Sequence, residues 1–302
     1  MAQGAKHSIQ ALDDFHLDAA IFSSPGLSNP SLVAVINSGA GIPKRFYGAF
    51  AAWLADRGIP TITYDYRGIG GSASKPLQNF AVTIEDWGSK DCAAVLNYAR
   101  TLYPAAKILV VGHSIGGIVT GFVRNDAPRI HRLMFISPHT GYLGDYAWGS
   151  RCKMFLLWHV IMPLITRSRG YFPGRALGLP EDLPAGVALA WGRRRFKWNI
   201  ASDSSYATCS HIATDGLCVR PSDDLFATES AFRRVQARFN AAKFTDVVLE
   251  VTHRKERLGH FGFFNSGSEE RWWPIALEWL AYGRSPKLGP MTTGTSNELE
   301  GP

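Results

Sequence analysis

Ile108-Leu109-Val110-Val111-Gly112-His113-Ser114-Ile115-Gly116-Gly117-Ile118-Val119 is the stretch whose reading decides the fold. Its first four residues are an unbroken apolar run, the mark of a strand buried on both faces. Gly112 to Gly117 form a sharp bend, and Ile118 to Phe122 continue as the first turns of a helix. Glycines stand two residues to either side of Ser114. Side chains there would collide with the neighbouring strand and helix, and a serine on so tight a turn sits in a strained backbone conformation. The bend lifts its hydroxyl clear of the sheet edge, and the helix start behind it offers free N–H groups to a developing oxyanion. A phosphate-binding loop is the rival for such a turn, but it ends in Gly-Lys-Ser/Thr, which is missing here.

Upstream, residues 1–8 read as frayed. Ile9 to Ser23 alternates as strands do, with Phe15, Leu17, Ala19 and Ile21 on one face. Val33 to Asn37 is a continuous buried strand, followed by the small-residue loop Ser38 to Pro43. Phe46 to Arg57 carries a helical stripe (Phe46, Phe50, Trp53, Leu54) that stops at Gly58, and Ile59 to Tyr64 is the next strand. The loop Asp65-Tyr66-Arg67-Gly68-Ile69-Gly70-Gly71-Ser72 lacks the glycine spacing of a dinucleotide fingerprint and reads as a turn pinned by Asp65 and Arg67. Thr83 to Tyr103 is an amphipathic helix, and Arg132 to Ser137 is a strand beyond the elbow. Strands alternating with helices across short crossovers imply a mostly parallel central sheet with helices on both faces, an α/β architecture.

Gly141 to Ala213 breaks that rhythm. It holds Trp148, Trp158, Trp191 and Trp198 and prolines at 163, 173, 180 and 184, with helices expected over Met154–Ile165 and Gly186–Trp198. Such an aromatic insertion reads as a helical cap over the carboxyl edge of the sheet, inserted after the sixth strand. The alternation resumes with a strand at Thr214–Arg220, a helix at Glu229–Phe239, a strand at Asp246–Val251 and a helix at about Glu269–Tyr282. The expected organisation is a core at 9–140, a cap at 141–213, the rest of the core at 214–283, and a disordered tail at 284–302.

At 302 residues and 46% hydrophobic, the chain can bury an extensive core. Its net charge of +7 gathers partly at Arg193-Arg194-Arg195 with Lys197 and at Arg233-Arg234. Without a nucleic-acid motif this reads as a solvated cationic surface, so no nucleic-acid partner is expected. The four cysteines (Cys92, Cys152, Cys209, Cys218) lack metal spacing and read as buried free thiols. No metal or other cofactor is called for. The longest apolar run, Met154 to Ile165, is too short to span a membrane and contains His159 and Pro163, and no signal-type core follows Met1. A cytoplasmic protein with no integral membrane segment is expected; monomer and homodimer are both open.

A serine hydroxyl becomes nucleophilic when a histidine takes its proton and a carboxylate orients that histidine. On a strand–elbow–helix scaffold the expected order is serine, acid, histidine. Ser114, the pair Asp223-Asp224 and His260 occur in that order, each after a strand. Here the chain resembles the α/β-hydrolase superfamily. More narrowly it is similar to lysophospholipase and serine-aminopeptidase-like esterases, and to a subgroup of hydrolases carrying the loop Asp65 to Ser72. The resemblance runs from about residue 15 to 283, through that loop, Gly112–Gly117, Asp223-Asp224 and Gly259-His260.

The resemblance implies that Ser114 is the nucleophile and His260 the base. It implies an acid four residues before a proline. Asp224 stands four before Thr228, and because threonine replaces the proline, Asp223 stays open. It implies oxyanion donors at the N–H of Ile115 and, since Ser38-Gly39 stands where His-Gly is usual, at the N–H of Ala40. Gly39, His139 and His113 are candidate pocket residues, although His113 also reads as packing beneath the elbow. His159 and His253 read as structural. The expected activity is hydrolysis of a small-molecule carboxylic ester with an apolar group through an acyl-enzyme. The alternatives are a lysophospholipase or monoacylglycerol lipase, an amide or peptide hydrolase, and a non-catalytic ligand-binding relative.

Overall fold

The computed structural model describes residues 2–193, 209, 211–253 and 256–285. Its frame is an eight-stranded sheet in the order β1-β2-β4-β3-β5-β6-β9-β10. These strands are β1 (Gly4–Gln10), β2 (His16–Phe22), β3 (Leu32–Asn37), β4 (Thr61–Tyr64), β5 (Lys107–His113), β6 (Ile130–Ile136), β9 (Asp215–Pro221) and β10 (Lys243–Leu249). β1 pairs antiparallel with β2 and β2 antiparallel with β4. Every later pairing is parallel, as strands joined by helical crossovers must be.

Alternation along β5 divides the interior into two layers. Ile108 and Val110 join the core under the long helix at residues 84–102, while Leu109 and Val111 join the core under α1 (Gly48–Asp56) and α9 (Trp273–Tyr282). The long helix is α2 (Ile84–Asp86), a π-helical stretch Trp87–Cys92 and α3 (Ala93–Leu102). It opens on a capping box in which Thr83 accepts from the Asp86 N–H and the Asp86 carboxylate accepts from the Thr83 N–H. Behind Ser114, α4 (Ile115–Thr120) is short and wholly buried.

Between β6 and β9 lie α5 (Trp148–Phe155), a π-helical stretch Leu156–Ile161, α6 (Met162–Arg169), a two-strand ladder of β7 (Tyr171–Phe172) and β8 (Leu183–Pro184), and α7 (Ala185–Arg193). Pro163 falls in the first turn of α6, where a missing N–H is tolerated. Among the described residues no helix is long and apolar enough to cross a membrane. Between β9 and β10, α8 (Glu229–Gln236) starts at Thr228, whose hydroxyl accepts from the Ala231 N–H.

Some expectations are corrected. Residues 4–8 are not frayed: they belong to β1, in register with β2 from Gly4 opposite Phe22 to Gln10 opposite His16. The strand lies at the sheet edge and most of its residues face solvent, so it carries no apolar signal. Cys152 is exposed on α5, whereas Cys92, Cys209 and Cys218 are buried thiols. Residues 194–198 of the expected second cap helix, with Arg194, Arg195 and Lys197, lie outside the described residues, as does 286–302 of the expected tail.

Two buried polar clusters hold the loops that leave the sheet. The turn after β4 is pinned as its sequence suggests. The Asp65 carboxylate accepts from the N–H groups of Lys44 (2.6 Å) and Gly71 (2.9 Å). The Arg67 Nε donates to buried Asp91 at 2.6 Å, and its other nitrogens meet Asp13 at 2.7 and 3.1 Å. In the second cluster His113 is fully buried and both its nitrogens are engaged. Nε2–H donates to the His260 carbonyl at 2.9 Å, which leaves Nδ1 to accept from the Tyr47 hydroxyl at 2.8 Å. Burial, and then the neighbouring His260, push the His113 imidazole down to about 3.

Two outcomes are expected. Arg67→Met leaves the Asp91 carboxylate buried without its cation and lowers the unfolding free energy by about 3–5 kcal/mol in urea denaturation. For His113 the folded value is depressed and the unfolded value is ordinary. The unfolded chain therefore binds the extra proton between them, and stability falls as pH drops from about 6.5 toward 3. The slope is about 1.4 kcal/mol per pH unit, and His113→Gln should flatten that part of the stability–pH curve.

Candidate active site

The bend at Ser114 is set by close backbone approach. A Cβ on Gly112 would come within 2.7 Å of the Gly117 nitrogen, and one on Gly116 within 2.1 Å of the Asn37 carbonyl oxygen. With no side chain in either gap, α4 presses on the ends of β5 and β3. Ser114 then takes φ 54° and ψ −120°, a conformation that L residues rarely adopt. Beneath it, Asn37 fastens three elements: it donates to Thr120 (2.9 Å) and Cys92 (3.3 Å) and accepts from Tyr64 (2.6 Å).

The loops after β9 and β10 meet at the same edge. Asp224 Oδ2 lies 2.9 Å from His260 Nδ1, while Oδ1 accepts from the N–H groups of Phe226 (2.8 Å) and Ala227 (3.2 Å). Burial would raise this carboxyl. The hydrogen bond and attraction to His260 outweigh that and, with the backbone donors, hold it well below the ordinary carboxylate range. Asp223 does different work: its carboxylate accepts from the N–H groups of Leu258 (3.2 Å) and Gly259 (3.0 Å), clasping the loop that presents His260. The geometry thus separates two acids that the sequence leaves equivalent.

The loop after β3 brings Gly39 and Ala40 to the site. The Gly39 N–H is spent on the Tyr47 hydroxyl at 2.8 Å. Ala40 N–H has no acceptor among the described residues, and Ile115 heads α4, where an N–H has no partner within the helix. Gly116 backs directly onto the carbonyls of Asn37 and Ser38, so the two loops are in contact.

One cavity of about 210 Å³ joins these parts. Ser114, His139 and His260 line it together with Gly39 and Ala40, and the remaining wall is apolar, including Trp158, Met162, Phe172 and Leu183 from the insertion and Phe226 from the Asp224 loop. His113 is corrected from pocket residue to support. It lies beneath the elbow, outside the cavity wall, as its two internal hydrogen bonds require. His159 packs against Phe155 with tilted rings, His253 is exposed, and neither lines the cavity. Among the described residues no cluster could hold a metal ion.

The Ser114 hydroxyl is turned to His139, whose Nε2 lies 3.2 Å from Oγ, and not to His260. The two imidazoles stand edge to face with centroids 5.3 Å apart. A serine hydroxyl has three staggered positions about its single side-chain torsion, and both rings line the cavity that holds it. The sequence puts His139 near the pocket but carries no local mark of this contact. Nor does it mark Tyr47 and Tyr146, whose hydroxyls meet His113 Nδ1 and His139 Nδ1 (3.4 Å), because no local spacing signals a phenol that reaches across the fold.

Comparison with known proteins bears on the fold. The family described as "Serine aminopeptidase, S33" matches residues 28–169. Acylamino-acid-releasing enzyme 2 of Oryza sativa subsp. japonica is 27% identical over 114 residues, which is 37% of this chain and only 15% of that protein's length. Among solved structures, a thermophilic esterase from Thermogutta terrifontis superposes with a TM-score of 0.56 at 17% identity, covering 93% of this chain and 98% of that one. An esterase of Pyrococcus furiosus gives 0.60 at 12% identity, covering 93% and 90%. An alpha/beta hydrolase from a Penicillium species gives 0.58 at 17% identity, covering 93% and 100%. At these identities the structural likeness is one of fold. Together, the eight-stranded mostly parallel sheet, the glycine-bracketed Ser114 and these matches give the chain the α/β-hydrolase fold.

Proposed function

We propose that the chain is a serine hydrolase that cleaves carboxylic esters bearing an apolar group. The observation that carries this reading is that one apolar cavity is lined by both Ser114, on its strained bend, and His260, held by a buried ionised Asp224. In the reaction the Ser114 hydroxyl turns to His260, which takes its proton as Oγ attacks the ester carbonyl. The N–H groups of Ala40 and Ile115 hold the oxyanion, where each donor is worth roughly 10²–10³-fold in turnover. His260 passes the proton to the leaving alcohol, and water then releases the acid by the same route in reverse. In this reading the insertion between β6 and β9 acts as the cap, excluding water with Trp158, Met162, Phe172 and Leu183.

The wall favours esters over aminoacyl amides. Among the described residues no carboxylate lines the cavity to receive an α-ammonium group. The buried Glu181 nearby is already paired with Arg45 and Arg175. The volume, about 210 Å³, falls under the roughly 300–1,000 Å³ of drug-sized sites and so favours a short acyl group over the long chains of lysophospholipids or monoacylglycerols.

Rates on p-nitrophenyl esters from acetate to palmitate should therefore peak among the short chains. Ser114→Ala should lose about 10⁶-fold in kcat, and aminoacyl amides should stay uncleaved. A flat profile, or a wild-type protein that a fluorophosphonate leaves unlabelled, sinks the proposal. Asp224→Asn should cost about 10⁴-fold in kcat, because the imidazole loses its orienting acceptor, while Asp223→Asn, which loosens only the loop backbone, should cost far less. Steady-state kinetics of the two variants side by side measure the difference.

A further inference from the structure

Ser114 is not the only residue that a strained bend delivers to the cavity. β6 ends at Ile136, and Ser137 then takes φ 51°, the same left-handed region as Ser114. The Ser137 N–H is fixed to the Val219 carbonyl at 2.8 Å. Two residues on, His139 points back into the site. Such strain in a non-glycine residue costs on the order of 1–3 kcal/mol and persists where the surroundings impose it. Here it aims one imidazole at the nucleophile. Phe226 is stacked on the ring at 5.9 Å with planes 29° apart, Tyr146 reaches its Nδ1, and Ser114 Oγ meets its Nε2. Tyr146 is itself seated against Trp158 of the insertion, with centroids 5.8 Å apart.

His139 and His260 line one cavity with Ser114 but have different second partners. The far nitrogen of His260 meets a carboxylate, and the far nitrogen of His139 meets a phenol. A carboxylate stabilises the imidazolium that a general base must become; a phenol supplies no such charge. The Tyr146 hydroxyl can donate to Nδ1, and in that tautomer the hydrogen of His139 sits on Nε2, facing Ser114.

We propose that His139 is a second catalytic histidine, a neutral hydrogen-bond donor to the leaving oxygen of the ester, and that it suits the site to unactivated alkyl esters. The inference rests on the serine-hydrolase reading above. In the resting site Nε2–H holds the Ser114 oxygen. As Oγ turns to His260 and attacks, the Oγ–C bond forms and the Oγ proton passes to His260. Nε2–H of His139 is then left beside the C–O bond that breaks. The departing oxygen takes its proton from His260, and His139 keeps its own throughout. A donor aimed where negative charge develops is worth most when the leaving alcohol is a poor one, because an alkoxide carries more charge than a nitrophenolate.

The test compares ethyl butyrate with p-nitrophenyl butyrate, which share an acyl group and differ in the leaving alcohol. His139→Leu should lower kcat/KM on the ethyl ester by about 10²-fold and on the nitrophenyl ester by less than about fivefold. His139→Gln, whose amide N–H also donates, should restore much of the ethyl-ester rate. Tyr146→Phe, which leaves the imidazole in place, is an independent second arm and should show the same selectivity at smaller size. Equal losses on the two esters, or no loss on either, overturn the role of His139 while fluorophosphonate labelling of Ser114 keeps the hydrolase reading intact. A wild-type protein that is neither labelled nor active on either ester overturns both.

Discussion

The backbone contact at Gly112 and Gly116 is the constraint on which the site depends. Helix α4 can press against the ends of β3 and β5 only where no Cβ intervenes. That pressure leaves Ser114 no ordinary conformation to relax into. The same contact presents Ser114 to the cavity, brings Ile115 beside the loop holding Ala40, and buries all of α4. An ordinary residue at either glycine would remove the strain by pushing the helix away, and the serine would withdraw with it.

Around this bend, burial acts on each ionisable group in the same direction, and partners decide the outcome. His113 and Asp224 are both buried behind the cavity. Desolvation favours the neutral form of each. His113 meets a phenol and a carbonyl, so it stays neutral and serves as a rigid link from the Gly39 loop through Tyr47 to the backbone of His260. Asp224 meets an imidazole and two N–H groups, so it stays charged. One imidazole is thus made into scaffolding and another is given a counter-charge, in a space where their ring centroids are 5.1 Å apart.

What was legible in the sequence is what short-range rules encode. The apolar run of β5, the glycines about Ser114, and the acid and histidine after later strands all mark themselves locally, and the strand–helix rhythm reveals the sheet. What stayed hidden depends on pairing across the fold. β1 is polar and mostly exposed, so only its hydrogen bonds to β2 define it. Asp223 and Asp224 are chemically the same, and only the path of the chain decides which faces an imidazole and which faces backbone N–H groups. Tyr47 and Tyr146 act through hydroxyls whose partners lie on other elements. Ser137 has no flanking glycines of its own, so the second strained bend leaves no motif to read.

The insertion and the chemistry are therefore not separable parts. Trp158 walls the cavity and also backs Tyr146, which meets His139, which meets Ser114. Phe226 packs against both imidazoles, stacked on His139 and edge-on to His260, and stands two residues from Asp224. On the proposed function, a substrate group that fills the apolar wall touches the same side chains that contact both rings. Close-packed interiors transmit small displacements rather than absorb them. Fit in the cavity and alignment at the Ser114 hydroxyl are in this way one mechanical problem, solved by residues drawn from the ends of β5 and β6, the insertion and the loops after β9 and β10.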